Sequence, residues 1–127
     1  MYSYTIDDVE YILNQIADEI PDEFFKHLNG GIILLDESKP HPQSTGDLWI
    51  LGEYHSRHDM GRYICLYFGS FKRLYPRVPE PVLREKLRET LLHEFTHHLE
   101  SLAGERGLEI TDQIRINEYR RIHRIGQ

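Results

Sequence analysis

Cysteine is nearly missing from this chain of 127 residues, and a single Cys65 excludes an internal disulfide. Long apolar runs are missing too. None approaches the ~18 residues that a membrane-spanning helix needs, so no membrane partner is expected. No basic leader precedes an apolar stretch. Met1 to Glu10 already carries Asp7, Asp8 and Glu10, and no secretory signal is read there. These absences together favour a cytoplasmic protein. Positive charge is in short supply, with a net charge of −6, which argues against nucleic acid held on a general basic surface. Repeats and low-complexity tracts are absent as well.

What is present is ordinary globular composition, 39% apolar and 28% charged, which argues against wholesale disorder. The length suits one domain, residues 1–127, able to bury roughly two-thirds of its unfolded surface without staples. Acidic residues crowd the first 37 positions, while Arg115, Arg120, Arg121 and Arg124 cluster near the end. The arginines read as the solvated face and dipole partners of a last helix rather than as an anion patch. Nothing in the pattern specifies an oligomeric state.

Thr5 with Asp8 three residues on forms a capping-box pattern, and Val9, Ile12, Leu13, Ile16 and Ile20 follow with helical spacing. Pro21 ends that helix and opens a short one through Phe24, Phe25 and Leu28, which Asn29-Gly30-Gly31 stops. Ile32–Leu35, Leu48–His55 and Arg62–Phe68 read as strands, with a loop over 38–47 and a turn over 56–61. In the third strand, alternation puts Tyr63, Cys65 and Tyr67 on one face and Ile64, Leu66 and Phe68 on the other. Cys65 is thus most simply a small strand residue. Residues 70–75 suggest one helical turn. A long helix is expected over about 81–103, stopped by Gly104 or Gly107, and a last one over 112–125 capped by Thr111. The order predicts an α+β fold, a short three-stranded antiparallel or mixed sheet under N-terminal helices, a long helix and a C-terminal helix.

The long helix contains His93-Glu94-Phe95-Thr96-His97-His98, an H-E-x-x-H motif followed by a further histidine. Residues four apart stand one above the other on a helix, so His93 and His97 project from one face. Two imidazoles so placed can converge on one Zn²⁺. Glu94, one step round, is near enough to serve as general base without ligating the metal. Leu92, Phe95, Leu99 and Leu102 supply a separate apolar stripe, so the histidines are expected beside the core at the edge of a groove.

The stretch "LLHEFTHHLESLAG", with "LGEY" (Leu51 to Tyr54) on an earlier strand, resembles the small bacterial zincin-like metallopeptidases. The resemblance implies a minimal zincin fold, His93 and His97 as zinc ligands, and Glu94 as catalytic base. The pattern departs from that family further along. There a glycine commonly follows the second ligand by three residues and an aspartate by six, where this chain has Glu100 and Ala103. The family's third ligand therefore does not carry over.

Three candidates replace it. Glu100 shares the histidines' stripe but lies roughly 7.5 Å along the axis from their midpoint, which suits a bond to an imidazole better than one to the metal. Asp112 sits where a first-turn carboxylate is expected. Glu118 interrupts the apolar spacing of Ile114, Ile122 and Ile125, and a carboxylate in such a stripe needs a partner, either a metal or an arginine. With Asn117 before it, Glu118 also resembles the third ligand of glutamate-ligand zincins, an Asn-Glu pair on a following helix. Glu118 is the favoured choice. His98 is placed to bond Glu94 or to lie exposed. Tyr54, His55, His58 and Tyr119 are the candidate oxyanion donors, with no order among them.

The pattern as a whole predicts a zinc-dependent hydrolase, a peptidase acting on peptide or protein substrates extended along a sheet edge. Two rivals stand beside it. One is a catalytically inactive zinc-containing module that binds peptides or proteins. The other is a closed structural zinc site completed by His98 or His123.

Overall fold

The computed structural model of the chain describes residues 3–43 and 48–106. Helix α1 spans Ile6–Glu19 and begins as its sequence dictates. The Thr5 side chain accepts from the Asp8 N–H, and the Asp8 carboxylate accepts from the Thr5 N–H, a closed capping box. Pro21 leads into a 3₁₀ helix, Asp22–Phe25. Strand β1 is Gly31–Leu35, followed by the short pair β2 (Lys39–Pro40) and β3 (Trp49–Ile50). Strands β4 (Gly52–Arg57) and β5 (Gly61–Tyr67) come next, then helix α2 (Phe68–Leu74) and the long helix α3 (Glu80–Arg106). The expected strand over 48–55 is in fact two, broken at Leu51. Its first part pairs with β2 and its second with β5. Gly104 does not stop α3, which runs on to Arg106. The expected final helix, with Thr111, Asp112, Asn117, Glu118, Tyr119 and His123, lies outside the described residues.

The architecture of the described residues is α+β, three α-helices with a small mixed sheet. The sheet order is β1-β5-β4, with β1 parallel and β4 antiparallel to β5. The central strand is covered on both faces, as the alternation predicts. Ile64 and Leu66 join the main core with Val9 and Ile16 of α1 and Leu91 and Phe95 of α3. Tyr63, Cys65 and Tyr67 form a second cluster with Ile33, Leu35 and Ile50. Burial pushes the Cys65 thiol pKa up, which keeps it protonated and unreactive. Helices α1 and α3 are also joined by polar contacts, Arg84 to Gln15 at 2.7 Å and Arg88 to Glu19 at 3.1 Å. None of the described helices is long and apolar enough to cross a membrane.

Two polar devices set the sheet against what surrounds it. The first is His98, wholly buried on α3. Its Nε2 lies 2.7 Å from the Lys26 carbonyl oxygen and its Nδ1 lies 2.9 Å from the Tyr54 hydroxyl. A carbonyl only accepts, so Nε2 carries the proton, and the Tyr54 hydroxyl donates to Nδ1. Burial lowers the His98 pKa and keeps the ring neutral, as this pattern requires. One side chain thus ties α3 to strand β4 and to the segment after the 3₁₀ helix. The second device is Glu53 of β4. Lys39 donates to both its oxygens at 2.7 and 2.8 Å, Tyr67 donates at 2.6 Å, and His55 Nε2 stands 3.2 Å away. Burial alone would push the Glu53 carboxyl up. The bonds from Lys39 and Tyr67, the Lys39 charge and the His55 contact together outweigh that and hold its pKa below the ordinary value. The pair β2–β3 is thereby fastened to the sheet, with further anchors from Ser70 Oγ to the Lys39 N–H at 2.9 Å and from the Gly69 N–H to the Glu37 carbonyl at 3.0 Å.

Both devices predict measurable losses. His98→Leu strands the Lys26 carbonyl and the Tyr54 hydroxyl, and should lower the unfolding free energy by about 2–4 kcal/mol, against about 1 kcal/mol for Tyr54→Phe, as read by urea denaturation. Glu53 has a folded pKa below its unfolded one. Its contribution is therefore full above the ordinary glutamate pKa of about 4.3 and fades as pH falls through the folded value. Wild type should exceed Glu53→Gln at pH 7 by on the order of 1 kcal/mol, a figure reduced by solvent around the 40%-exposed Lys39 side chain. Denaturation curves of the two proteins should converge in acid.

Candidate functional site

Helix α3 carries the site because its faces differ. Leu87, Leu91, Phe95 and Leu102 are buried along the side that meets the sheet and α1. His93, His97 and Glu100 are exposed on the adjoining stripe, in the i, i+4, i+7 relation expected of them. Glu94 falls between the two faces. It is 6% exposed, yet it borders the groove in front of the histidines.

Strand β4 forms the opposite side of that groove. Gly52 is the closest approach: a Cβ there would come within 2.9 Å of Thr90 Cγ2 on α3 and 2.7 Å of Leu66 Cδ2. A side chain there would force Leu66 or Thr90 to shift, so glycine lets strand and helix meet closely beside Glu94. The Tyr67 N–H donates to the Leu51 carbonyl at 2.9 Å, which fixes the alternation of the antiparallel pair. By that alternation the backbone groups of Gly52, Tyr54 and Ser56 turn to the outer edge of β4, where no described strand pairs with it. The groove there measures about 760 Å³ and reaches Glu100 and Ser101. A neighbouring hollow of about 580 Å³ shares Gly52, His93 and Glu94 with it and extends to Trp49, Ile50 and Leu51. Together they form one trough along β3–β4 with His93 and Glu94 at its middle.

The two exposed imidazoles converge. His93 Nε2 and His97 Nε2 are 3.1 Å apart, with the rings edge to face at a centroid distance of 4.7 Å. Nitrogens each about 2.0–2.1 Å from one tetrahedral ion stand roughly 3.3 Å apart, so the pair has the spacing of two ligands on a single metal. Glu94 beside them accepts no hydrogen bond from a described residue. Burial raises its pKa, and the nearby Glu53 adds to the rise while His97 opposes it.

Several sequence expectations change here. His98 neither bonds Glu94 nor lies exposed. Both its ring nitrogens are taken by Lys26 and Tyr54, so it cannot complete a closed zinc site. Tyr54, a candidate oxyanion donor, gives its hydroxyl proton to His98. His55 stacks on Tyr63 at 4.9 Å and faces Glu53, and His58 is exposed in the turn. Glu100 borders the groove without joining the histidines. Among the described residues no group of three or more His, Cys, Asp or Glu gathers as a metal site. Glu118 and Asp112 lie outside the described residues. Sequence reasoning missed Glu53 and the Trp49–Leu51 wall. Period-two alternation puts Glu53 opposite Cys65, but only once the pairing of β4 with β5 is known.

No family model matches the chain, and no curated protein is similar to it. Among solved structures, a conserved hypothetical protein from Thermo thermophilus is similar, at 35% identity over 80% of this chain and 99% of its own, with a TM-score of 0.68. The resemblance to the small bacterial zincin-like metallopeptidases is therefore corrected. Its one sharp stretch was His93 to His98, no family model supports it, the similar structure is described only as a conserved hypothetical protein, and no metal-binding group of three is present among the described residues. The likeness that spans the fold is the other one, and at that identity and coverage this chain belongs to the same family as the Thermo thermophilus protein.

Proposed function

We propose that the chain is a zinc-dependent hydrolase that cleaves peptide bonds in extended substrates. The observation that carries this reading is the 3.1 Å separation of His93 Nε2 and His97 Nε2 at the mouth of a groove that the buried Glu94 carboxyl also borders. The two imidazoles hydrogen-bond each other across that separation, a contact that a shared ion would replace. A polar helix face of no function would have no reason to bury beside them a carboxyl to which no described residue donates a hydrogen bond.

His93 and His97 would hold the ion, with Glu118, outside the described residues, as the third ligand on the strength of its place in the Ile114–Ile122–Ile125 spacing. When bound, zinc polarises a carbonyl and makes a neighbouring water more acidic. The rest belongs to the chain. The outer edge of β4 offers Gly52 and Ser56 backbone groups that align a substrate strand by ladder hydrogen bonds. Glu94, its pKa raised by burial, takes the proton of the attacking water and then gives it to the departing amine. Its low-dielectric surroundings make it a stronger base than an exposed glutamate.

Two measurements test this. Metal analysis of purified protein should find one zinc per chain. His93→Ala and His97→Ala should each lose it with the fold intact, since Leu92, Phe95, Leu99 and Leu102 carry the packing. Glu118→Ala should weaken zinc retention in the same assay, and equal zinc in all four proteins would end the metal assignment. Glu94→Gln keeps shape and helix propensity but cannot take the proton. Chelator-sensitive cleavage of a peptide library should fall by about 10²–10⁴-fold in that variant while zinc content stays unchanged. Zinc-loaded wild type that binds peptides and cuts none would instead identify an inactive binding module.

A further inference from the structure

The trough is chemically different at its two ends. On one side of the histidine pair stand Trp49, Ile50 and Leu51, all partly buried. This wall is held in place rather than loosely hung. The Arg73 guanidinium lies 4.5 Å over the Trp49 ring, and its Nε donates to Ser38 Oγ at 3.1 Å. The strap that carries Trp49 is bound to the sheet through Lys39 and Glu53. Glu89 also borders this end, but its charge is met by Lys86 at 3.8 Å.

On the other side stand Ser56, Ser101 and Glu100. Glu53 is there too, neutralised by Lys39 at 2.7 Å. Glu100 is exposed, and no cation among the described residues pairs with it. Among the described residues it is the uncompensated charge of this end. Along α3 it stands roughly 7.5 Å past the midpoint of His93 and His97, at 1.5 Å per residue. Two residues of extended peptide cover about the same length.

Resting on the peptide-binding reading above, we infer that the trough selects an extended peptide with two features. A large apolar side chain lies against Trp49–Ile50–Leu51 on one side of the histidines. A lysine or arginine lies against Glu100 on the other, about two residues from the point of attack. Apolar contact supplies most of the affinity, because the wall is preorganised and its aromatic ring is large. The carboxylate supplies discrimination by sign, at a site exposed enough that salt weakens it.

The experiment reads binding, so it does not depend on turnover. Dye-labelled heptapeptides with Phe and Lys separated by two alanines, in both orders, are titrated into full-length, zinc-loaded Glu94→Gln protein, beside versions with Glu in place of Lys. Anisotropy gives affinity. The chain has one tryptophan, so Trp49 emission reports occupancy of the apolar end with unlabelled peptides. In at least one order the Lys peptide should bind about five-fold tighter than the Glu peptide or more. Glu100→Lys should invert that order, and 1 M salt should shrink it. Trp49→Ala should weaken all Phe peptides about ten-fold and leave the Lys-to-Glu ratio unchanged. Equal affinity for the two charges, a preference that survives Glu100→Lys, unchanged Trp49 emission on binding, or no binding of any peptide would each overturn the inference. Peptides bound with this preference and never cut by wild type would overturn the hydrolase and leave the selectivity standing.

Discussion

The neutral imidazole of His98 is the constraint on which the site depends. It sits at the point where α3, β4 and the segment after the first 3₁₀ helix come together, and it bonds to two of them through different nitrogens. Apolar packing alone would permit α3 to slide or roll on the sheet by a fraction of a turn at small cost, because leucine side chains adapt. Two directional bonds from one buried ring do not permit it. A buried carbonyl and a hydroxyl left unmade cost far more than a slightly altered leucine contact. With α3 fixed in rotation, the stripe one position away must face the trough, and that stripe holds His93 and His97. Positioning and chemistry thus come from neighbouring residues of one helix, with opposite relations to solvent.

Strand β4 shows the same division by alternation. Tyr54 faces α3 and meets His98, while Glu53 faces the second cluster and meets Lys39 and Tyr67. The first contact fixes the helix to the strand. The second fixes the β2–β3 strap, and with it Trp49, beside the strand. Gly52, between strap and strand, removes the side chain that would hold helix and strand apart. The trough therefore has both walls tied to one strand of six residues. A change at Glu53 should disturb the apolar wall, and a change at Tyr54 should disturb the histidines, though the two residues are neighbours in the chain.

What could be read from the sequence was local or periodic. The capping box at Thr5 and Asp8 needs only residues three apart, and its bonds form as expected. The two faces of the central strand follow from period two, and the long helix from its apolar spacing. The proximity of His93 and His97 needs only helix geometry. What could not be read depends on which element lies beside which. The break at Leu51 arises because 49–50 and 52–57 pair with different strands. The role of His98 was undecidable between Glu94 and solvent, since its true partners are 44 and 72 residues away in sequence. The family resemblance failed for a related reason, because its one sharp stretch, six residues on one helix, carries little information about the rest of a fold.

Glu94 is the residue that folding physics explains least. His98, equally buried, has both its nitrogens satisfied, and its presence follows from structure. Glu53, less buried, has three donors around it, and its presence follows from structure too. Glu94 is 6% exposed, lacks a hydrogen-bond donor among the described residues, and lies near a second carboxylate that raises its pKa further. Leucine at the same place would suit the flanking stripe of Leu87, Leu91 and Leu102 and would avoid the desolvation of a charge. A group that lowers stability where an apolar one would raise it points to work done in the trough. The work that a carboxyl of raised pKa beside two converging imidazoles can do is to move a proton.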